Sequence, residues 1–205
     1  GMGSSAAVSI AAIRGVLDYF NRKVDNVTLE KLVNEAEIIA HNTPSGLDAK
    51  TCLSDSAIKF IKNKGFKNID INLGAYLLIA DTGIHGHTRD AIMNIKNMGN
   101  KALPMLEKLG KLTEETEKFI EKKDVVNIGK NMISAHEELK RLGVSIEKSD
   151  ILVKTAIDEG AYGAKMSGGG LGGCIIALME SREKAEMTAK KLMEKGAVNI
   201  WIEAL

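Results

Sequence analysis

The 205-residue chain carries 28 Lys and Arg against 27 Asp and Glu, for a formal net charge of +1, with 44% apolar and 27% charged residues. This balance describes a soluble globular protein of one large or two small domains, and it supplies no global field for nucleic acid or an acidic partner. Aromatic residues are only 4% of the chain, which disfavours a base-stacking platform for single strands, and no apolar run approaches the ~20 residues of a membrane-spanning helix.

The first element is a loop, Gly1-Met2-Gly3-Ser4-Ser5-Ala6-Ala7, running into an apolar, helix-forming segment. Glycine lets backbone N–H groups approach an anion. The free N–H groups and positive dipole end of the following helix then favour phosphate, and the hydroxyls of Ser4 and Ser5 add hydrogen bonds or a ligand for a divalent cation. Gly1-Met2 by itself also reads as a vector remnant before a start methionine. Phosphate loops of this kind normally follow a strand, so the expectation is a nucleotide-phosphate site whose upstream half lies outside this chain. The loop lacks the lysine of GxxxxGK[ST], which argues against ordinary P-loop enzymes.

Residues 6–20 read as a helix, with Val8, Ala11, Ala12, Gly15 and Tyr19 at helical spacing and the mid-helix Gly15 expected to serve close packing. Thr28 is expected to cap a helix over 29–40, ending before the turn cluster Asn42-Thr43-Pro44-Ser45-Gly46. Glu37 near that helix end and Asp48 past the turn are two carboxylates that, brought together beside phosphates, suit a divalent cation and a base. On local sequence alone, Glu37 facing solvent and Asp48 capping the next segment is the slightly simpler account.

Short strands are expected at 58–61 and 69–73, then a buried strand over the unbroken apolar run 75–80. Asp81 to Arg89 forms a polar loop behind it, a common place for binding groups. His85 and His87 have no third ligand placed beside them, and Thr88 reads as the N-cap of a helix. From Thr88 to Leu142 the pattern is helical, interrupted at Gly99, Pro104, Gly110 and Asp124. A helix over 151–159, strands over 164–167 and 174–178, a helix over 182–194 and a strand over 198–202 follow. From residue 75 the order is β-α-β-β-α-β, a ferredoxin-like layer with helices on one face of an antiparallel sheet. The natural domain boundary lies near Gly74, giving 1–74 and 75–205.

The turn between residues 163 and 174 formally contains GxGxxG at Gly168, Gly170 and Gly173. These glycines lead into a strand rather than a helix, so it is no dinucleotide fingerprint. Five glycines in the six residues 168–173 exceed what a hairpin needs, and close approach of the backbone to a ligand is expected. Cys52 and Cys174 lie far apart, without metal spacing, as reduced thiols in a cytoplasmic protein do.

Taken together, three stretches resemble the GHMP kinases, most nearly mevalonate kinases of the bacterial, Gram-positive type. Gly1 to Ala7 matches the ATP loop G-L/M-G-S-S-A-A, Asn42 to Asp48 matches G-x-P-S-G-x-D, and Lys165 to Cys174 matches the glycine-rich third motif. Asn42 stands for the usual glycine and Leu171 interrupts the third motif. The resemblance implies an α+β GHMP kinase fold: a partial N-terminal S5-like α+β domain, lacking an upstream segment that carries a lysine near the acceptor, followed by a ferredoxin-like C-terminal domain. It implies ATP-dependent phosphorylation of the mevalonate 5-hydroxyl in isoprenoid biosynthesis. Gly1, Gly3, Ser4, Ser5 and Ala6 would then hold ATP, and Ser5 and Glu37 would bind Mg2+. Asp48 would be the catalytic carboxylate, and Ser45, Thr88, Gly168, Gly169 and Gly170 would contact substrate. Expected partners are the small-molecule substrate and a second copy in a homodimer, with neither nucleic acid nor membrane. The alternatives are another GHMP kinase, such as phosphomevalonate kinase, or a non-catalytic fragment that only binds nucleotide or dimerises.

Overall fold

The computed structural model describes residues 2–41, 45–61 and 64–205, which fall into two compact units, Met2–Ile71 and Asn72–Leu205.

In the first unit, α1 (Ser4–Tyr19), α2 (Asn26–His41) and α3 (Leu47–Leu53) precede a hairpin of β1 (Ala57–Ile61) and β2 (Gly65–Ile69). Ala6 and Ile10 on α1 and Leu29 and Val33 on α2 are each four residues apart, so each pair lies on one helix face. The two faces meet with Ala49 of α3 in a small buried cluster. Thr28 does not cap α2: Asp25 does, its carboxylate accepting the Thr28 N–H at 2.7 Å and dropping below the usual aspartate pKa through that bond. Among the described residues nothing lies within 4 Å of a Cβ built at Gly15, so close packing among them does not require that glycine. The second strand of the hairpin is Gly65–Ile69, so the strand expected over 69–73 is displaced toward the N-terminus and residues 70–73 are not strand. Its register is fixed by β1, with Ala57 opposite Ile69 and Ile61 opposite Gly65, and β1 offers no partner beyond.

The second unit runs β3 (Tyr76–Asp81), α4 (Thr88–Met98), a 3-10 turn (Gly99–Ala102), α5 (Leu103–Glu121), α6 (Val125–Arg141) and α7 (Glu147–Asp158). It closes with β4 (Gly163–Met166), β5 (Cys174–Met179), α8 (Arg182–Glu194) and β6 (Asn199–Ala204). Gly110 does not interrupt α5, and Pro104 sits in its first turn, where an N–H has no helical partner to lose. The strand order is β4-β5-β3-β6, all antiparallel, as a ferredoxin-like β-α-β-β-α-β chain produces. One sheet face, bearing Leu78, Ala80, Ala164, Ile175, Ala177 and Met179, is buried with Leu152, Val153 and Ala156 of α7 and Ala185 and Leu192 of α8.

Along the outer edge of the sheet, α6 meets β4 backbone to backbone. A Cβ at Gly129 would overlap the Tyr162 carbonyl, and one at Gly163 would overlap the Gly129 carbonyl. Covering an edge strand in this way removes a template for mispairing. Asp124 caps α6 by accepting the Asn127 N–H at 3.1 Å. The buried Glu138 is compensated by Lys108 at 2.7 Å and Arg141 at 2.9 Å, and those partners hold its pKa below the usual glutamate range.

Candidate active site

The loop that opens the chain turns into α1 at Gly3, whose φ of 68° is left-handed, a conformation open to glycine at no steric cost. Ala7 N–H bonds the Gly3 carbonyl at 3.0 Å, which leaves the earlier N–H groups of the turn free of helical partners. Ser5, in the same turn, donates its hydroxyl to Glu37 Oε1 at 2.7 Å. Glu37 is only 4% exposed because it continues the inward stripe of α2, four residues beyond Val33 and eight beyond Leu29. The solvent-facing reading of Glu37 is therefore wrong: a carboxylate occupies a core position.

Asp48 lies in the first turn of α3. It does not cap that helix: Gly46 precedes the helix in a left-handed conformation, and the Ser45 hydroxyl accepts the Leu47 N–H at 3.2 Å. Instead, Asp48 packs against the opening loop. A Cβ placed on Gly3 would lie 3.5 Å from Asp48 Cβ and 3.4 Å from Cys52 Sγ. Ser5, Glu37 and Asp48 therefore converge on one loop at one helix N-terminus. Ser4 begins α1 on the exposed side, and Ala6 is fully buried beneath. Gly1, like Asn42, Thr43 and Pro44, lies outside the described residues.

Sequence reasoning missed Cys52. Its Sγ lies 3.7 Å from the Gly3 carbonyl, to which the thiol donates, and burial together with the charges of Asp48 and Glu37 raises its pKa. The signal was available, since Cys52 is one helical turn after Asp48 and shares its face. Asn34, one turn before Glu37, was also missed. Its Oδ1 is buried without a hydrogen-bond partner among the described residues, 3.8 Å from the position of a Cβ on Gly46.

In the unit Asn72–Leu205, the glycine-rich turn lies between β4 and β5 and packs on the loop after β3. Gly173 N–H donates to the Ile84 carbonyl at 2.7 Å, and Thr82 Oγ1 donates to the Gly173 carbonyl at 2.7 Å. A Cβ at Gly172 would come within 2.5 Å of the Ile84 carbonyl oxygen, one at Gly170 within 2.5 Å of the Val144 carbonyl oxygen, and one at Gly169 would overlap the Thr88 side chain. Much of the glycine content is thus required by the protein's own backbone contacts. Thr88 is not a cap, since His87 precedes α4 and no side chain caps it. Its side chain lies against Gly169, so the structure brings together Thr88 and the turn bearing Gly168, Gly169 and Gly170. Lys165, just before the turn, donates to the Met166 carbonyl at 2.7 Å, and desolvation lowers its pKa.

The opening loop offers N–H groups free of helical partners beside a buried carboxylate–hydroxyl pair, with a second carboxylate alongside. That set suits phosphoryl transfer, which needs positioning and charge neutralisation rather than a covalent intermediate. Comparison with known proteins gives the same class. The model of the GHMP kinases N terminal domain matches residues 1–55, and that of the GHMP kinases C terminal region matches residues 116–198. The chain belongs to the GHMP kinase family.

Within the family it is similar to mevalonate kinases. That of Pyrococcus horikoshii is 30% identical over 94% of this chain and 59% of its own length. That of Aeropyrum pernix is 32% identical over 89% of this chain and 58% of its own. Among solved structures, L. major mevalonate kinase in complex with R-mevalonate superposes with a TM-score of 0.88 at 25% identity, covering 98% of this chain and 65% of that one. Mevalonate kinase from methicillin-resistant Staphylococcus aureus MRSA252 gives 0.75 at 29% identity, covering 100% of this chain and 67% of that one. The chain therefore spans about three fifths of the length of the curated relatives it matches.

Proposed function

We propose that this chain is the greater part of an ATP-dependent kinase for the 5-hydroxyl of mevalonate, with residues 1–74 belonging to its ATP-binding domain and 75–205 forming its C-terminal domain. The observation that carries the proposal is the convergence of Ser5, Glu37 and Asp48 on the Gly3 loop. Similarity to mevalonate kinases, one of them solved with R-mevalonate, supports the substrate.

In this reading, N–H groups from Gly1 through Ala6, with the Ser4 hydroxyl, hold the ATP phosphates at the positive end of α1. The buried Glu37 carboxylate and the Ser5 hydroxyl are hard oxygen donors of the kind Mg2+ takes while keeping several waters, so these residues fit that ion and would hold it. When bound, it neutralises phosphate charge. Asp48, at the start of α3, orients the acceptor hydroxyl and takes its proton, and Ser45 lies three residues away to line the acceptor side. Thr88, Gly168, Gly169 and Gly170 are the proposed substrate contacts of the other unit. A cytoplasmic location and a homodimer belong to the same proposal; no helix among the described residues is long and apolar enough to cross a membrane.

The test is ADP release by the purified full-length protein with Mg2+, ATP and R-mevalonate. Mevalonate-dependent turnover supports the reading. Turnover only with phosphomevalonate moves the protein to that neighbouring kinase, and MgATP binding without turnover on either leaves a nucleotide-binding module.

A further inference from the structure

His136, on α6, is 3% exposed and takes no part in the chemistry above. In the β4–β5 ladder, Ser167 N–H donates to the Cys174 carbonyl at 2.8 Å. By the alternation of an antiparallel pair, the Met166 N–H then faces away from β5, toward α6. There His136 Nδ1 accepts it at 3.3 Å. On the other side of the ring, Nε2 lies 3.1 Å from Asp150 Oδ1 on α7, an ion-pair distance without hydrogen-bond geometry, and has no hydrogen-bond partner among the described residues. A ring that accepts at Nδ1 and faces a carboxylate at Nε2 is the neutral tautomer with its proton on Nε2. Gly129 makes this reach possible: seven residues earlier on the same helix face, it lets α6 touch the β4 backbone.

Asp150 accepts the Ser145 hydroxyl at 2.6 Å and has Lys140 Nζ 3.5 Å away. Ser145 adjoins Val144, whose carbonyl accepts the Leu171 N–H at 2.7 Å and whose side chain abuts Gly170. The same small network therefore touches the glycine turn at both sides, at Met166 where β4 ends and at Gly170–Leu171 within the turn.

We propose that His136 is a positioning residue for the glycine turn 167–173, holding Met166 directly and Val144 through Asp150 and Ser145. The inference rests on the reading above only in taking that turn as a substrate contact. Protonating Nδ1 would replace an acceptor with a donor facing the Met166 N–H, so the arrangement works only with a neutral ring. Burial lowers the pKa of His136 from 6.5, against the opposing pull of Asp150 and Glu137 and with a lesser push from Lys140. Lys165, the cation of β4, is bonded to the Met166 carbonyl. Because the folded-state pKa lies below the unfolded one, the unfolded chain binds the extra proton first. The stabilisation is complete above the unfolded value and is lost as pH falls from there through the folded pKa.

The experiment uses the full-length protein. Long-range 1H–15N spectra of the imidazole at pH 7 should show His136 with Nδ1 bare and Nε2 protonated; an imidazolium or the opposite tautomer overturns the proposal without any variant. His136→Phe should accelerate amide exchange at Met166 and Leu171 and raise the KM for MgATP or mevalonate about tenfold, more than it lowers kcat. His136→Asn, which keeps an acceptor near Nδ1, should return both to within about threefold of the native protein. Unchanged exchange in the turn of folded His136→Phe overturns the positioning role. Faster exchange with unchanged kinetics upholds that role and instead removes the turn from the substrate site. Should His136→Phe not fold, the native tautomer and His136→Asn still decide the question.

Discussion

The two units build their candidate binding surfaces by opposite means. In Met2–Ile71, the candidate site is made of side chains, with Ser5, Glu37 and Asp48 gathered around one loop at a helix N-terminus. The core beneath is small: five buried apolar residues among those described, with Val8, Val16, Tyr19, Phe20 and Ile39 left exposed on α1, α2 and their connection. In Asn72–Leu205, the turn is made of backbone, fitted so closely against Val144 at Gly170 and Ile84 at Gly172 that no side chain fits at those two positions, in a unit whose sheet packs a cluster of twelve buried residues. Substitutions in the first unit should therefore act on chemistry and leave the fold, whereas substitutions in the second should act on the fold and reach chemistry through it.

The largest effect should come from Asp48→Asn. The carboxylate is exposed at the start of α3 and caps nothing, so the amide costs little stability. Loss of a positioned base should lower kcat by about 10²- to 10⁴-fold, with MgATP affinity held within about threefold. Steady-state kinetics and calorimetric titration separate the two quantities. Retained turnover would remove Asp48 from the reaction.

Glu37→Gln comes next. The amide oxygen still accepts the Ser5 hydroxyl, so the α1–α2 contact survives, and replacing a buried charge by a neutral amide does not strain the core. Loss of one anionic oxygen donor should weaken Mg2+-dependent ATP binding by about 10- to 100-fold, read as a shift in the Mg2+ titration of ATP affinity. A fall in melting temperature with an unchanged Mg2+ requirement would mark Glu37 as structural and blur the contrast between the units.

These two residues also show what a sequence can reveal. The stripe Leu29–Val33–Glu37 was readable at helical spacing, and an acid at its inward end was a legible anomaly. Local context hid it, because a charged residue near a helix end is ordinarily solvated. The helix Arg182–Glu194 was legible at both ends, since Ser181 accepts the Lys184 N–H at 3.2 Å and Gly196 follows with a left-handed φ of 92°, both local signals. Gly110 reads as a break in the sequence yet lies inside α5, because helix propensity is a weak prior that tertiary packing overrides. Neither the Gly170–Val144 contact nor the His136–Met166 bond was legible. Each joins residues far apart in the chain, and nothing in the flanking sequence of either partner records the other. The glycines of residues 168–173 stand out in the sequence, but the carbonyls of Val144 and Ile84 that two of them approach do not.

Gly172→Ala tests the backbone-built turn. Its φ of 134° is one that L side chains rarely adopt, and the new Cβ would meet the Ile84 carbonyl oxygen at 2.5 Å. Strain and collision together should cost about 1–3 kcal/mol, seen as a lower denaturation midpoint at constant m-value. A substitution that leaves stability intact while weakening substrate would place the glycine requirement on the ligand side, as the sequence alone suggested.

The smallest effect, Gly15→Ala, has the opposite sign. Gly15 lies in the interior of α1, φ is not positive there, and nothing among the described residues stands within 4 Å of the added methyl. Alanine is preferred to glycine inside a helix by up to about 1 kcal/mol, through both helix propensity and reduced freedom of the unfolded chain. The substitution should raise the midpoint of unfolding modestly and leave kcat and KM unchanged, since the methyl is more than two turns from Ser5 along α1. Because a small core holds α1 in place, a gain in helix propensity should register more clearly here than the same gain in α5 or α6. A loss of stability would mean that the α1 face at Gly15 is covered in the full-length protein by a surface that requires the glycine.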